Sequence, residues 1–497
     1  MRGRSSVTAT RLGVVLFAAL VGVLIAFIPW QVAVVLVVAA IGVLALAAVR
    51  VVAFRLGDDA SERTEATPEA TPDGRLRLAR ALYYVGAAAI GFLTIRPAAG
   101  FTVSDWVFLL SLVLVVIVTT VQDIRRDYLV PGVITVGVLL FAVGGLISTT
   151  NAADASQSLL VVIRVGYLTL VWFWLGTVLL ETIGHVRNAV VAWVSSAALC
   201  SSGAVAQFFY GDVIPGGDLA YGRMTGFTPA YNNLGGLAAT AFVPALMVAL
   251  DSPRSWQKLV GLASTALIVA GLLLSGSVGG MLGASVATVF WLALRGVSLR
   301  LVVGIGAVAG SAFVLMTATG VTNAPSPVER INRVTSAQEA AQGTGGTLYT
   351  RLDGYREAWE RIHEQPLIGV GFDEKSIENV LGTAHGVHNI ILSPWLSAGI
   401  LGLVGVVLML YGAFTCGLAA LRLAAARDRS LLAALLASVV CFIVFAMGEP
   451  ILFVRYGWFA TALLVAVRAQ QVRMGLVERQ RVAPRQRPVV YGSPRTS

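Results

Sequence analysis

Residues Thr383–Gly405 read T-A-H-G-V-H-N-I-I-L-S-P-W-L-S-A-G-I-L-G-L-V-G, and within this stretch a long polar segment passes into a long apolar one. It contains two of the protein's four histidines, and an asparagine follows the second directly. Histidine has an ordinary pKa of about 6.5, which suits it to move protons near neutral pH. Gly399 and Gly402 interrupt the apolar run and predict a kink or close backbone packing. The stretch therefore predicts a reactive group at the edge of a membrane-spanning helix.

The composition of the whole chain is that of a membrane protein. Of its 497 residues, 57% are hydrophobic and 12% are charged, and the mean hydropathy is +0.81. Soluble proteins carry about 25% charged residues. The net charge of +10 lies in short loops between apolar runs, which argues against a nucleic-acid partner. The three cysteines fall in predicted spans and indicate neither a disulfide framework nor a Cys-rich metal site.

The apolar runs predict an all-α, polytopic transmembrane helical bundle of about 12–14 spans, because each run of about 20 residues can cross a bilayer as a helix. The predicted spans are 12–28, 32–54, 81–96, 104–121, 129–148, 159–180, 188–209, 233–250, 259–276, 278–294, 301–320, 398–420, 430–447 and 451–467.

The pattern of charge predicts how the chain is divided. Residues 1–54 are predicted to form a membrane hairpin rather than a cleaved leader, because the first apolar run leads directly into the second. Residues 55–80 are polar, rich in threonine and proline, and predicted to be a disordered cytoplasmic loop with five arginines. Membrane helices are expected in 81–320 and 390–467, and a basic cytoplasmic tail in 468–497. Both termini are then cytoplasmic.

Residues 321–389 contain the longest polar stretch and are predicted to form one large extracytoplasmic loop late in the chain. Long loops of this kind are usually functional or disordered. Here an amphipathic helix is predicted, with Tyr355, Trp359 and Ile362 on one face. Pro366 ends that helix. An ordered cap outside the membrane is the interpretation that the pattern favours.

His388 stands at the boundary between this loop and the next apolar run, beside Asn389. It could act as a general base, or it could be a helix-start histidine bound to a backbone carbonyl, and both interpretations stay open. His385 lies three residues earlier and could pair with it on a metal. Without a Glu-x-x-His arrangement nearby this spacing is weak evidence, and no metal site is predicted.

Several arginines could bind an anion, because a guanidinium matches phosphate oxygens and stays charged at any working pH. Arg223 lies in a Gly- and Asn-rich outer turn with few acidic neighbours, and Arg351 opens the loop helix. Arg356 is a further candidate for contact with a substrate. For Arg356 and Arg361, surface ion pairs with neighbouring glutamates are the favoured alternative.

Two more arginines lie in or beside predicted spans. Arg164 is costly in hydrocarbon and is expected to face a polar cavity or to reach the surface. Arg455 is either a third cation at the outer surface or the structural partner of Glu449. The aromatic residues near span ends are predicted to be interfacial anchors; they are Trp106, Trp172, Trp174, Tyr231, Trp395 and Trp458.

These residues resemble a known family. His388-Asn389, followed after nine residues by G399-I-L-G402, resembles the signature of the O-antigen ligase and polymerase superfamily. Upstream, Arg351 and the turn P366-L-I-G-V-G371 are similar to the family's Arg-led helix and P-x-x-G-V-G turn.

The resemblance extends to an earlier turn, where G222-R-M-T-G-F and N232-N233-L-G are similar to the family's R-x-x-G-x-x-x-x-P-N segment. It covers roughly residues 200–450. One departure concerns S275-G-S277-V278-G279, where the family often carries Ser-x-Ser-Arg-Gly. Val278 replaces that arginine, so no third phosphate contact is carried over.

The resemblance implies a metal-independent glycosyltransferase with no cofactor. Such an enzyme moves a glycan from a polyprenyl diphosphate carrier, such as undecaprenyl diphosphate, to an acceptor hydroxyl on a glycan or lipid at the outer face of the cytoplasmic membrane. It serves the assembly of cell-surface polysaccharide in the cell envelope, with membrane lipids and no nucleic acid as further partners. The implied catalytic residues are His388, Arg351 and Arg223, and the implied substrate-binding residues are Asn389, Arg356, His385 and Arg455.

Two alternatives stay open. A transporter or flippase of lipid-linked glycans could use the same arginines, although transporters usually bind near the membrane midplane. Within the superfamily, a ligase and a polymerase need the same base and the same cations, so the motifs do not separate them.

Overall fold

A computed structural model of the protein describes residues 74–96, 101–121, 128–211, 223–252, 255–297, 335–336, 347–381, 387–449 and 452–482. These residues belong to one compact unit, Ala70–Ser497. They are helical, and no strand occurs among them. The predicted hairpin 1–54 and the predicted span 301–320 lie outside the described residues.

The described residues form fourteen α-helices and one π-helix. In chain order they are α1 (Gly74–Ala88), α2 (Val103–Val121), α3 (Gly132–Ser148), α4 (Ala155–Gly166), the π-helix (Tyr167–Val171), α5 (Trp172–Leu179), α6 (Ile183–Tyr210), α7 (Tyr231–Asp251), α8 (Ser255–Ser275), α9 (Val278–Leu294), α10 (Thr347–Glu364), α11 (Glu374–Leu381), α12 (Leu392–Arg422), α13 (Arg429–Ala446) and α14 (Arg455–Val482).

Seven helical segments in these ranges are long and apolar enough to cross a membrane. They are α2, the continuous segment from α4 through the π-helix to α5, α6, α7, α8, α12 and α13. The apolar helices α3 and α9 are shorter. The predicted all-α membrane bundle is therefore confirmed, and the protein is a multi-pass membrane protein.

Helix boundaries differ most from prediction at two places. The predicted span 81–96 is a helix that begins at Gly74 and ends at Ala88, so residues 74–80 are helical and not part of a loop. At the other end, α14 continues to Val482, well past the predicted start of a tail at 468. In α14, Arg473 donates to a carbonyl at the end of α5 at 2.8 Å. This hydrogen bond attaches the polar end of α14 to the bundle. Hydropathy could not reveal such a contact between distant segments.

An aromatic core holds the bundle together. Trp172 and Phe108 have ring centroids 4.1 Å apart, and Phe459 lies 5.6 Å from Trp193. Trp172 and Trp458 are buried at 0% and 1% exposure, so their prediction as interfacial anchors was wrong. Both pack against other aromatic rings inside the protein.

Helices α3 and α12 pack backbone against backbone. A Cβ atom on Gly137 would lie 2.7 Å from the carbonyl oxygen of Gly405, and one on Gly405 would lie 2.6 Å from that of Gly137. Small residues allow this close approach between membrane helices. The contact fixes α12, whose first turns border the candidate site.

Gly399 breaks α12, as predicted, with φ 67° and ψ −163°. The turn 366–371 contacts the backbone of α12 at this break. Val370 N–H donates to Leu396 O at 3.0 Å, and Ile400 N–H donates to Pro366 O at 3.1 Å. This turn thus satisfies backbone groups that the broken helix leaves unpaired.

Candidate functional site

A buried carboxylate lies at the centre of the site. Glu449 follows the end of α13 and is only 6% exposed. Its Oε1 accepts from Arg351 Nη2 at 2.6 Å and from Asn232 Nδ2 at 2.8 Å. Its Oε2 lies 3.4 Å from His388 Nδ1. One side chain therefore contacts groups from α10, from α7 and from the segment before α12.

Arg223 joins this group through Asn232. Arg223 Nη2 donates to Asn232 Oδ1 at 2.9 Å, and Arg223 Nε donates to Ser275 O at 2.7 Å. The guanidinium carbon lies 3.4 Å from the ring centroid of Tyr231, an arrangement that favours a cation. The first turn of α7 and the end of α8 therefore hold Arg223 in place. We call Glu449, Arg351, Asn232, Arg223 and His388 the Glu449 hub.

The charges of the Glu449 hub favour an anionic ligand. It contains two guanidinium groups, on Arg223 and Arg351, and one carboxylate. Arg351 keeps 27% of its side chain exposed, whereas Glu449 keeps 8%. A guanidinium matches phosphate oxygens in both charge and geometry.

The two ring nitrogens of His388 have different surroundings. Nδ1 is buried and, at 3.4 Å from Glu449 Oε2, lies in ion-pair range without hydrogen-bond geometry. The side chain is 29% exposed. Because Nδ1 is buried, Nε2 is the nitrogen available to a substrate.

The backbone around His388 is held by Tyr355, from the loop helix α10. The Tyr355 hydroxyl donates to His388 O at 2.5 Å and to Met447 O at 3.1 Å. Burial raises the pKa of Tyr355, so its hydroxyl stays protonated and remains a donor at neutral pH. One phenol thereby ties the loop helix to both chain segments that carry His388 and Glu449.

The side chain of Asn389 forms hydrogen bonds with backbone groups. Its Oδ1 accepts from the N–H groups of Ile391 and Leu392, at 2.8 and 3.0 Å, and its Nδ2 donates to Met447 O at 3.3 Å. These bonds satisfy donors at the start of α12. Asn389 is 8% exposed, so it positions the histidine beside it.

The apolar side of α10 packs against α12, as the amphipathic pattern predicted. Ile362 is 3% exposed and belongs to a cluster with Leu381, Val387 and Leu396. Trp359 stays 46% exposed, although its ring lies 5.7 Å from that of Trp395. Arg351 and Tyr355 extend from this docked helix to the Glu449 hub.

Two arginines of α10 lie away from the hub. Arg356, proposed above as a substrate contact, pairs with Glu360 at 3.1 Å, and its side chain is 82% exposed. Arg361 pairs with Glu364 at 2.5 Å. The favoured alternative of surface ion pairs is confirmed for both.

Arg455 does not pair with Glu449. Its Nη2 donates to Asp105 Oδ2 at 2.7 Å, and both residues are buried. The guanidinium carbon of Arg164 lies 5.8 Å from the centroid of the Phe101 ring. His385 lies outside the described residues. Among the residues that the structure describes, no group of three or more His, Cys, Asp or Glu side chains could hold a metal ion.

Sequence reasoning missed Glu449 and Asn232 as parts of the site. Glu449 was considered only as a partner of Arg455. A signal was present, because an acidic residue between Gly448 and a proline at the end of an apolar run needs a partner when it lies at a membrane edge. Which partner it takes depends on contacts across 98 and 217 residues of chain, which no local pattern reveals.

Comparison with protein families identifies part of this region. Residues 263–407 match the family model described as O-antigen ligase. The match includes Arg351 and His388 and ends before Glu449, and it confirms the resemblance to the O-antigen ligase and polymerase superfamily. It supports an O-antigen ligase type of function in general, that of a glycosyltransferase-like enzyme. Among curated proteins, none matches the chain.

Proposed function

We propose that the protein is a glycosyltransferase of the O-antigen ligase and polymerase type. It transfers a glycan from a polyprenyl diphosphate carrier to an acceptor hydroxyl, in the assembly of cell-surface polysaccharide. One observation carries the proposal: a histidine and two arginines from distant parts of the chain meet around the buried carboxylate of Glu449.

The transfer would proceed by displacement at the anomeric carbon. His388 Nε2 accepts the proton of the acceptor hydroxyl as its oxygen bonds to that carbon. The bond from the same carbon to the carrier's diphosphate oxygen breaks, and its electron pair stays on the diphosphate. Arg223 and Arg351 stabilise the charge that develops there. The proton later leaves His388 to solvent or to the released diphosphate.

Glu449 has two roles in this mechanism. It holds Arg351 directly and Arg223 through Asn232, so both cations are placed before the carrier binds. It also places a negative charge beside His388 Nδ1, where it favours the imidazolium that forms when the acceptor proton is taken up. The two guanidiniums supply the charge stabilisation for which other transferases use a divalent cation, which is the basis for proposing metal independence.

The hub's position suits a lipid-linked substrate. It lies where α12, α13 and α7 begin or end, so a carrier's polyprenyl tail could lie along the helices while its diphosphate reaches the arginines. We place this end of the bundle, with α10 and α11, on the extracytoplasmic face of the cell membrane. The arginine-rich loop 55–80 and the basic tail 468–497, both predicted to be cytoplasmic, support that orientation.

The test is transfer by the purified full-length chain in lipid vesicles, with a lipid-linked glycan as donor. His388→Ala, Arg351→Ala and Arg223→Ala should each lower the transfer rate by about 10²–10⁴-fold, the usual cost of losing a general base or a charge-stabilising group. Arg361→Ala is the matched control and should retain the rate of the wild type, since surface pairs contribute at most about 1 kcal/mol. Full activity in His388→Ala, or loss in EDTA that added metal restores, would refute the mechanism.

The same preparation distinguishes a polymerase from a ligase. A lipid-linked repeat unit is supplied without any other acceptor. A polymerase lengthens it into a ladder of lipid-linked products. A ligase leaves it unchanged until a second acceptor, such as a lipid or a different glycan, is added.

A further inference from the structure

The loop helix α10 carries an exposed apolar stripe beside its buried face. Leu348, Leu352 and Trp359 are 41%, 49% and 46% exposed. Their spacing of four and seven residues places all three on one side of the helix, because that spacing corresponds to about one and two turns. Ala358 and Ile362, on the adjacent side, are buried in the contact with α12. Among the described residues, α10 therefore finds partners for only part of its apolar surface.

The stripe continues over the segment that follows α10. Leu367 is 69% exposed, and Ile368 beside it is exposed as well. Trp395, in the first turn of α12, connects the two parts of the stripe. Its ring lies 5.7 Å from that of Trp359 at an interplanar angle of 86°, and its Nε1 donates to Pro366 O at 3.1 Å. We call this surface the α10 apolar flank; it consists of Leu348, Leu352, Trp359, Leu367 and Ile368.

The contact between the flank and α12 indicates how deep the flank lies. The first charged residue of α12 is Arg422, and a charged side chain is costly in hydrocarbon. Since about 20 residues cross the hydrocarbon core, a core that ends at Arg422 begins near Gly402. Gly399 lies only about 5 Å before that point along the helix. An added Cβ on Gly399 would lie 2.1 Å from Leu367 O, so the flank meets α12 near the boundary between headgroups and acyl chains.

The charges of α10 favour acyl chains as the partner of the flank. Two arginines and four acidic residues occupy the rest of the helix surface: Asp353, Arg356, Glu357, Glu360, Arg361 and Glu364. Because acidic residues outnumber basic ones there, attraction to anionic headgroups would not hold the helix at a membrane, whereas burial of its apolar residues would. Exposed apolar patches mark contacts with proteins or membranes. This patch is continuous with a membrane-spanning helix, which favours the bilayer.

We propose that the α10 apolar flank lies among the acyl chains at the surface of the bilayer. The helix α10 is then an interfacial helix and not part of a cap that stands clear of the membrane. Trp395 serves as the interfacial anchor that the sequence predicted, and Trp359 joins it, since tryptophan rings favour this depth.

This contact would place the Glu449 hub beside the lipid phase. Arg351, which donates to Glu449, directly precedes Leu352 of the flank. The side of α10 that faces the hub and the side that faces lipid are therefore adjacent. A lipid-linked donor in the bilayer would pass the flank to reach Arg351, a role that rests on the proposed function. The contact with acyl chains does not depend on it.

Nitroxide labels test the contact directly. They are attached to single cysteines in the full-length chain, in phosphatidylcholine vesicles, after the three buried native cysteines are replaced. Labels at Leu352→Cys and Leu367→Cys should collide more often with oxygen, which concentrates among acyl chains, than with a water-soluble nickel chelate. Glu357→Cys, exposed on the opposite side of α10, is the matched control and should show the reverse preference.

Two results would overturn the proposal. If Leu352→Cys preferred the nickel chelate as strongly as Glu357→Cys does, the flank would lie in water. If its label were protected from both reagents, another segment of the chain or a second copy would cover the flank. Phosphatidylglycerol added to the vesicles should leave both preferences unchanged, because acyl chains and not headgroup charge make the contact. An oxygen preference that required anionic lipid would contradict this assignment.

Transfer kinetics in the same vesicles test the role in donor entry. Leu352→Gln should raise the KM for a lipid-linked donor severalfold and leave kcat unchanged, since no reacting group is altered. Glu357→Gln is the control and should keep the KM of the wild type. An unchanged KM in Leu352→Gln would remove the role in donor entry and leave the membrane contact. Absence of transfer in wild-type protein, with oxygen preference at the flank, would refute the proposed function alone.

Discussion

Arg351 donates to Glu449 at 2.6 Å, across 98 residues of chain. Arg351 belongs to the loop helix α10 and Glu449 to the segment after α13, so the contact joins the loop helix to the membrane bundle. The same carboxylate oxygen accepts from Asn232. The docked position of α10 and the arrangement of the Glu449 hub are therefore parts of one structure.

Replacing Glu449 tests whether its charge serves the reaction. In Glu449→Gln we expect kcat to fall by at least about tenfold with a smaller change in KM, because the amide no longer stabilises an imidazolium on His388 or balances Arg351. Steady-state kinetics of vesicle-reconstituted protein measure this. Glu360→Gln, which removes the exposed partner of Arg356, is the control. A normal kcat in Glu449→Gln would show that the charge is not needed.

Asn232 should act only through the residues it connects. Asn232→Ala removes a donor to Glu449 and an acceptor for Arg223. We expect the rate losses of Asn232→Ala and Arg223→Ala to be non-additive in a double-mutant cycle, since both changes disturb the position of one guanidinium. Strictly additive losses would mean that Asn232 does not position Arg223.

The sequence predicted those residues of the site that belong to short local motifs. His388 directly precedes Asn389, Arg351 lies on an amphipathic helix, and Arg223 occupies a glycine-rich turn. Each of these patterns is short, and the structure brings all three residues to one place. Glu449 and Asn232 escaped because their function depends on contacts between distant segments.

The fold, too, was predictable where it depends on local sequence and not where it depends on contacts between distant segments. Apart from α1 and α14, hydropathy located the described spans within a few residues, because about 20 apolar residues suffice to define a crossing. It could not predict the π-helix at Tyr167 or the continuation of α14 to Val482. It also misassigned Trp172 and Trp458, since aromatic residues in a packed core and at a membrane interface occupy similar positions in sequence.

Tyr355→Phe should loosen the backbone around His388. The substitution removes the donor to two carbonyl groups while it keeps the ring. We expect a stability loss of about 1 kcal/mol and a lower kcat, because a lost hydrogen bond to a partly exposed group costs about that much. Thermal unfolding and transfer rates measure the two effects.

The direction of the Tyr355 pKa shift determines how the stabilisation by this hydrogen bond depends on pH. Burial raises the pKa of Tyr355 above its ordinary value of 10.0. The contribution to stability is therefore fully present below about pH 10 and is lost only as the pH rises through the higher pKa of the folded state. Between pH 6 and 9, the stability difference between wild type and Tyr355→Phe should stay constant. A difference that varies across that range would contradict this assignment.

The orientation of the bundle can be tested with single cysteines. All three native thiols are buried, and they are replaced to give a cysteine-free background. We expect Lys375→Cys, exposed on α11, to react with an impermeant thiol reagent in intact cells. Arg427→Cys, exposed between α12 and α13, should react only after the membrane is opened. The reverse pattern would place the Glu449 hub on the cytoplasmic face.

Gly399→Ala should destabilise the protein. The residue has φ 67°, which L side chains adopt at a cost, and an added Cβ would lie 2.1 Å from the carbonyl oxygen of Leu367. The expected loss is at least about 1–3 kcal/mol of unfolding free energy. Gly354→Ala in α10 is the control, since a Cβ there would meet nothing within 4 Å and alanine favours a helix. Equal stability of the two variants would exclude strain at Gly399.

The turn 366–371 also bears on how α12 enters the membrane during synthesis. It provides partners for backbone groups at Leu396, Ser397 and Ile400, which the break at Gly399 leaves unpaired. Such groups cost several kcal/mol each in hydrocarbon. Because the ribosome makes the turn before it makes this part of α12, the partners already exist when the broken segment reaches the translocation machinery. In a circular permutant that places α12 before the turn in the chain, the helix would insert while these backbone groups still lack hydrogen-bond partners.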